Sequence, residues 1–243
     1  MRSRALVLVF LLAVPASNAD AEGKLAAVDR DDQAVLASKA FLDAHPDMKF
    51  RVEGFIAYDQ GRFADARAHF ARAAEFADKP SQAMLAEMAW KGIGQPQDRP
   101  LGYVWADLAA ERGYRQFVAQ REAYWSRLAP EERARALELG PGILATYGDA
   151  SARQRLARHL QRARRAMISG RPRKDVTVMV PGPYGMPTYL RGHDFYAPRF
   201  WEPRQYQAWV DALWKDPPVE HVEVGPVEGL APGDAAKAQG PDR

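Results

Sequence analysis

The chain of 243 residues contains no cysteine. This absence excludes disulfide bonds, thiolate metal sites and a lipid-modified cysteine, so packing of apolar side chains must hold the fold together. Long apolar runs are also scarce. After residues 5–14 no stretch approaches the roughly 20 apolar residues that cross a bilayer. The sequence therefore predicts no membrane-spanning helix.

Motifs of catalysis and metal binding are missing as well. The five histidines are scattered, with no His-x-x-x-His pair and no Glu-x-x-His, and there is no Gly-x-Ser-x-Gly. His193 and Asp194 are adjacent, but neighbouring side chains in an extended chain point in opposite directions. We therefore expect no enzyme activity, no metal and no cofactor.

The first residues have the plan of a secretory signal peptide. Arg2 and Arg4 precede the apolar run at 5–14, and small residues follow where a signal peptidase cuts. This predicts a signal peptide over 1–19, with cleavage after 19 or 21, and a periplasmic or secreted protein. The alternative is a buried N-terminal helix. Removal of 1–19 leaves 32 basic against 31 acidic residues, so the net charge falls from +3 to +1 and any basic character is local.

Between residues 31 and 168, apolar residues recur at three- and four-residue spacing and Gly or Pro marks the turns. This pattern predicts helices over 31–44, 47–59, 63–76, 81–91, 100–112, 116–128, 130–139 and 149–168. Residues 169–215 are richer in Pro and Gly. There we expect an irregular segment with one short strand at 176–180 and a last helix, Pro203–Lys215, docked on the preceding helices. Residues 216–243 are expected to form a flexible tail.

Two stretches of the helical region show the spacing of helical repeats with a period of 34 residues. The first unit, 47–80, carries small and aromatic residues at Gly54, Gly61, Phe63, Ala66, Phe70 and Ala73. The second unit, 81–114, carries Leu85, Gly92, Gly94, Asp98, Trp105, Ala109, Ala110 and Gly113. Small residues allow the paired helices to touch, glycines permit the turns, and Asp98 is placed to cap a helix N-terminus.

The first unit resembles a tetratricopeptide repeat, and the second resembles a Sel-one-like repeat. The string Ala-Glu-Arg-Gly-Tyr ending at Tyr114 and the string Tyr147-Gly148-Asp149 are also similar to parts of exported bacterial Sel-one-like proteins. The resemblance implies an all-α fold, a short α-solenoid of helix-turn-helix repeats within 31–168. Because two repeats are few, the helices at 31–44 and 116–168 are expected to act as caps.

The resemblance also implies a binding surface, because repeat solenoids bind on the concave face lined by the first helix of each unit. That face would carry Phe55, Tyr58, Asp59, Glu87, Trp90 and Lys91. Aromatic, acidic and basic groups together suit an extended peptide or a partner helix, with the aromatics as anchors. The alternative is that Phe55 and Trp90 are core residues covered by the caps.

A second candidate surface lies on the predicted helix 149–168. Its apolar stripe must pack inward, and Arg158, Arg162 and Arg165 lie on the opposite side. Such a basic face could make weak contact with anionic lipid headgroups or with an acidic partner, or it could simply be solvated. Export argues against nucleic acid as the partner.

A third candidate is a cluster of aromatic residues near the C-terminus, namely Phe195, Tyr196, Phe200, Trp201, Tyr206, Trp209 and Trp214. These rings could stack on sugars, which would make the protein a glycan-binding or cell-wall-remodelling accessory, or they could dock the segment onto the helices. The prediction that the repeats favour is a non-catalytic scaffold or adaptor for protein–protein interaction in the bacterial cell envelope, whose partner is an unidentified protein or peptide.

Overall fold

A computed structural model describes residues 30–167, 177–181 and 187–215 of the chain. The predicted signal peptide and the predicted tail at 216–243 lie outside the described residues. The elements are α1 (Arg30–Leu36), α2 (Lys39–Ala44), α3 (Pro46–Asp59), α4 (Phe63–Ala74), α5 (Lys79–Lys91), α6 (Arg99–Ala110), α7 (Arg115–Trp125), α8 (Pro130–Tyr147), α9 (Asp149–Met167), β1 (Thr177–Pro181), β2 (Pro187–Arg191), α10 (Gly192–Phe195), α11 (Pro198–Trp201) and α12 (Pro203–Lys215). No helix in the described part is long and apolar enough to cross a membrane.

The two predicted repeat units form two helix hairpins, α3 with α4 and α5 with α6. Gly54 allows the first pair to approach closely, since a Cβ on this residue would lie 2.5 Å from the Phe70 ring. Asp78 and Asp98 cap the N-termini of α5 and α6, accepting hydrogen bonds from the backbone N–H groups of Ser81 at 3.0 Å and Leu101 at 3.1 Å. The predicted all-α solenoid is confirmed.

The helices after the second repeat continue the same arrangement. The α7 helix runs parallel to α5, because Gln120 donates to the Ala83 carbonyl at 3.4 Å and Tyr124 stacks on Trp90. The α8 helix runs parallel to α6 in the same way, since Arg135 pairs with Asp98 near the start of both helices. These two cap helices therefore extend the order of the repeats.

Two predicted helix bounds are wrong. The helix predicted at 31–44 is broken into α1 and α2, because the Ser38 side chain accepts a hydrogen bond from the Phe41 N–H at 3.2 Å and so starts a new helix. The helix predicted to end at residue 139 continues through Pro141 to Tyr147. There Ile143 and Tyr147 pack into the core of the repeats, and this packing outweighs the Gly-Pro-Gly sequence.

The α9 and α12 helices lie side by side across one edge of the solenoid, at the N-termini of α3, α5 and α7. Tyr206 at the start of α12 donates to Asp47 in α3 at 2.6 Å, and Trp214 at its end packs on Phe117 in α7. Arg153 of α9 contacts Asp211 of α12 at 3.4 Å, and Arg164 contacts Glu202 at 2.7 Å. The two helices are therefore antiparallel.

The described parts of the C-terminal segment contain more regular structure than predicted. The predicted strand is β1, and it pairs antiparallel with β2, from Thr177 opposite Arg191 to Pro181 opposite Pro187. The sequence of β2 does not predict a strand, because it begins at a proline in a stretch rich in Pro and Gly. Val180 and Leu190 of the hairpin join a core that also contains residues of α1, α2, α9 and α12.

Candidate partner-binding surface

Side chains of α3, α5 and α7 form one candidate surface, which we name the A-helix surface and define by Tyr58, Asp59, Glu87, Lys91 and Tyr124. Glu87 and Lys91 form an ion pair of 2.7 Å one helical turn apart. Burial raises the pKa of Tyr58, and the charge of Glu87 raises it further. Tyr58 of α3 therefore lies beside the ion pair of α5.

Lys91 lies between the tyrosines of the two flanking helices. Its hydrogen bond with Glu87 raises its pKa, against some desolvation, and the hydroxyls of Tyr124 and Tyr58 act in the same direction as Glu87. Asp59 is exposed at the end of α3, and partial burial raises its pKa. Three of the six predicted partner-binding residues, Tyr58, Glu87 and Lys91, are thus brought together, and Asp59 follows Tyr58 at the end of α3.

Phe55 does not belong to this surface. Its side chain is 2% exposed and packs edge-on against Phe70, with ring centroids 5.1 Å apart. The ring fills the space between α3 and α4, so the alternative interpretation of Phe55 as a core residue is correct. A partner cannot reach it in the folded protein.

Trp90 is half-buried and is held by neighbouring side chains. Tyr124 stacks on its ring with centroids 4.0 Å apart and an angle of 10° between the planes. The Arg99 guanidinium also lies over the ring, 4.7 Å from its centroid. The ring thus helps to join α7 to α5, and the role of Trp90 as an anchor for a partner stays a prediction.

Two aromatic residues of this region, Phe63 and Tyr124, are not among the predicted partner-binding residues. Phe63 at the start of α4 is 37% exposed and packs edge-on against Tyr58 at 5.2 Å. Tyr124 is mostly buried, and its hydroxyl is within 3.4 Å of Gln120. The 34-residue period contained a signal for Tyr124, since it lies 34 residues after Trp90 in the next helix of the same type.

The predicted basic face has three exposed members. Arg158, Arg162 and Arg165 lie on the solvent side of α9, while Ala152, Leu156 and Leu160 are buried on its inner side. The other arginines of the helix hold it in place. Besides the contacts of Arg153 and Arg164 with α12, Arg155 donates to the Glu75 carbonyl.

The aromatic cluster near the C-terminus lies in the core. Phe195, Phe200, Trp201, Tyr206 and Trp214 are buried, and Tyr196 and Trp209 are half-buried. Phe200 packs edge-on against Phe41 of α2 at 5.7 Å, and the Trp201 indole N–H donates to the Phe195 carbonyl at 2.5 Å. The rings therefore dock this segment on the helices, and none of the five buried rings can stack on a sugar.

Sequence reasoning also missed a cluster of buried ionic groups beneath α9 and α12. Lys79 is 1% exposed at its side chain and contacts Glu111 at 2.8 Å and Asp149 at 3.1 Å. Arg51 is buried and pairs with Asp78 at 2.8 Å. These contacts are made between elements of the fold, so the cluster holds the two edge helices on the repeats.

No metal centre is formed within the described residues, because no three histidine or acidic side chains converge there. The A-helix surface likewise presents neither a nucleophile with an adjacent base nor a set of converging donors. It consists of tyrosine rings and one ion pair, which are groups suited to binding.

Comparison with known proteins adds a likeness of fold. No protein-family model matches the chain, and no curated protein matches it. A similar solved structure is the crystal structure of c5321, a protective antigen present in uropathogenic Escherichia coli strains that displays an SLR fold. The two proteins are 19% identical with a TM-score of 0.40, over 64% of this chain and 34% of that chain. The chain thus spans about a third of the length of that protein.

Proposed function

We propose that this protein is a non-catalytic scaffold for protein–protein interaction, which binds a partner on the A-helix surface. The observation that carries the proposal is the row of side chains from three parallel helices, in which the half-buried Tyr58 and the largely buried Tyr124 flank the Glu87–Lys91 ion pair. Tyrosine supplies contact area with few rotatable bonds and a polar end, and it is enriched in binding surfaces.

The spacing of the helices sets the size of the partner segment. Packed helices lie about 8–10 Å apart, so a row of three spans roughly 20 Å. An extended chain advances by about 3.3 Å per residue, so about six residues of a partner would cross the row. We expect one apolar or aromatic side chain of this segment to pack on the exposed side of the edge-on pair of Tyr58 and Phe63. A charged group should interact with the exposed amine of Lys91.

The place where this scaffold acts is also part of the proposal. A signal peptide at 1–19 would deliver the chain to the bacterial cell envelope, where a protein or peptide partner would bind it. Mass spectrometry of the protein from its native host would test this. A mature N-terminus at residue 20 or 22 supports export, whereas a retained segment 1–19 contradicts it.

The binding proposal is tested by affinity capture from envelope extracts, followed by titration of the captured partner. Tyr58→Ala and Lys91→Glu change groups at the surface, and we expect each to weaken binding by about tenfold. The matched control is Leu137→Ala. It removes a 65% exposed side chain on α8, outside the A-helix surface. Trp90→Ala is unsuitable because it would disturb the packing of α7. Equal capture of the same partner by all variants would contradict the proposal.

A further inference from the structure

The exposed arginines of α9 form a basic stripe that the described residues leave without acidic partners. Arg158, Arg162 and Arg165 recur at four- and three-residue spacing, which places them on one face of the helix. They are exposed, and within 30–167, 177–181 and 187–215 no acidic side chain forms an ion pair with them. Like charges at this spacing repel each other, so an anion bound along the stripe would stabilise the helix.

The chain itself carries a segment of opposite charge. Residues 216–243 contain six acidic residues, Asp216, Glu220, Glu223, Glu228, Asp234 and Asp242, against Lys237 and Arg243. Their net charge of −4 complements the stripe. We propose that the acidic segment 220–228 of the same chain binds along Arg158, Arg162 and Arg165.

The antiparallel arrangement of α9 and α12 puts this segment within reach. Arg153 lies beside Asp211, and Lys215 ends α12 four residues, or about 6 Å, further along. In the other direction, α9 extends about 18 Å from Arg153 to Arg165, the far end of the stripe. The chain must therefore return over about 24 Å, which roughly eight extended residues cover. Glu223 is the eighth residue after Lys215, so Glu220 and Glu223 can reach the nearer arginines and Glu228 can reach the far one.

The composition of the exposed face favours this occupant over a lipid surface. Gln154 and Gln161 lie next to the arginines and are exposed, while Leu156 and Leu160 are buried against the protein. A helix that lies on a bilayer inserts an apolar face beside its cationic groups, and α9 has none to offer. A tethered acidic segment also has a local concentration in the millimolar range, which a free partner seldom reaches.

When the acidic segment is bound, the charges of Arg158, Arg162 and Arg165 are neutralised. The contact depends on charge, so it should weaken as the salt concentration rises and the Debye length falls from about 8 Å at physiological salt to about 3 Å at 1 M.

The absence of cysteine in the chain allows a direct test by cross-linking. A full-length variant with Gln161→Cys and Val224→Cys places one thiol beside the stripe and one in the acidic segment. We expect their disulfide to form about tenfold faster than in the same variant carrying R158Q, R162Q and R165Q, because docking raises the effective concentration of the thiols. At 1 M salt the two rates should become equal.

Two further variants make the test independent of helix stability. E220Q, E223Q and E228Q change only residues that follow α12 and should slow the cross-link as much as the arginine changes. R67Q, R115Q and R127Q remove the same number of exposed arginines elsewhere and should leave the rate high. Equal rates in all backgrounds, or a rate that ignores salt, overturn the proposal. Equal rates together with salt-sensitive pelleting on phosphatidylglycerol vesicles would assign the stripe to a membrane surface instead.

Discussion

Arg112 and Asp149 form a bidentate ion pair that joins the second repeat to α9. Arg112 Nε donates to Asp149 Oδ2 at 2.7 Å, and Arg112 Nη2 donates to Asp149 Oδ1 at 2.9 Å. Burial opposes the charge on Asp149, but Arg112 and Lys79 together hold the pKa of this carboxyl below its usual value. Arg112 belongs to the string that ends at Tyr114, and Asp149 belongs to the string Tyr147-Gly148-Asp149, so the two strings are the two halves of one contact.

Removal of one partner of this pair should be costly. Arg112→Gln leaves the half-buried Asp149 without its bidentate partner and with only Lys79 and Arg153 nearby, and it also removes the hydrogen bond to the Ala77 carbonyl at 3.1 Å. Loss of one member of a buried pair typically costs about 3–5 kcal/mol. We expect urea unfolding to show a decrease of this order in the free energy of unfolding. Adding Asp149→Asn to Arg112→Gln should lower the free energy of unfolding by much less than Asp149→Asn does in the wild-type protein.

The matched control for Arg112 is Arg121, which pairs with Glu122 on the surface at 2.6 Å. Exposed pairs contribute about 0–1 kcal/mol, so Arg121→Gln should change the free energy of unfolding only slightly. If Arg112→Gln proves no more destabilising than Arg121→Gln, the buried cluster does not hold α9 and α12 in place.

Asp47 should give the stability of the protein an unusual dependence on pH. The residue is buried, its Oδ1 has no hydrogen-bond partner within the described residues, and burial raises its pKa to about 6 despite the Tyr206 hydrogen bond. The folded state therefore binds a proton that the unfolded state has released, between pH 4 and pH 6. Stability from this group is present at low pH and is lost as the pH rises through that window.

His45 changes the stability with pH in the opposite direction. Burial lowers its pKa to about 4, against its contacts with the Phe41 and Phe200 carbonyls, so the folded state resists a proton that the unfolded state accepts below pH 6.5. Its contribution to stability is lost as the pH falls through the same window. Each shift corresponds to about 3 kcal/mol, and the two nearly cancel in the wild-type protein.

The test of this pair is Asp47→Asn, which removes one titration and leaves the other. We expect the free energy of unfolding of the variant, relative to wild type, to be about 3 kcal/mol higher at pH 7 than at pH 4. Urea unfolding at both pH values measures this difference, and contributions from other groups cancel in it. A difference that does not change with pH would mean that Asp47 titrates normally.

Gly54 should tolerate no side chain. A Cβ there would lie 2.5 Å from Cε1 of Phe70, so Gly54→Ala must push α3 away from α4. Overpacking of this kind costs about 1–3 kcal/mol. Gly140→Ala is the matched control, because nothing lies within 4 Å of its added Cβ, and an alanine there should raise stability by about 0.5–1 kcal/mol. Thermal unfolding of both variants should show shifts of opposite sign.

Pro141 interrupts the hydrogen bonds of α8 and should be replaceable. The residue is exposed within the helix, where proline costs up to about 3 kcal/mol relative to alanine. Pro141→Ala should therefore raise the free energy of unfolding by about 1–3 kcal/mol. A decrease in stability would show that Pro141 favours the packing of Ile143 and Tyr147 into the core.

Local sequence patterns anticipated most of the helices and both repeat hairpins. Helical periodicity marked α3 to α7 within a few residues, and Asp98 was recognised as an N-cap because capping depends on neighbouring backbone groups. The end of α8 was missed because Gly140 and Pro141 are weak helix formers in isolation. Packing of Ile143 and Tyr147, distant in sequence from their partners, reversed that preference.

The candidate surface likewise depends partly on local sequence patterns and partly on long-range packing. The sequence by itself determined the repeat period, and it predicted that Tyr58, Asp59, Glu87 and Lys91 lie on the first helices of two neighbouring units. Only the tertiary structure decided that Phe55 is buried between α3 and α4 and that Trp90 is held by Tyr124. A repeat period gives the angular position of a residue on its helix, but burial depends on which other elements cover that position. The apolar faces of α9 and α12 predicted that these helices dock, but long-range contacts, which no local pattern encodes, decide which residues of the repeats they cover.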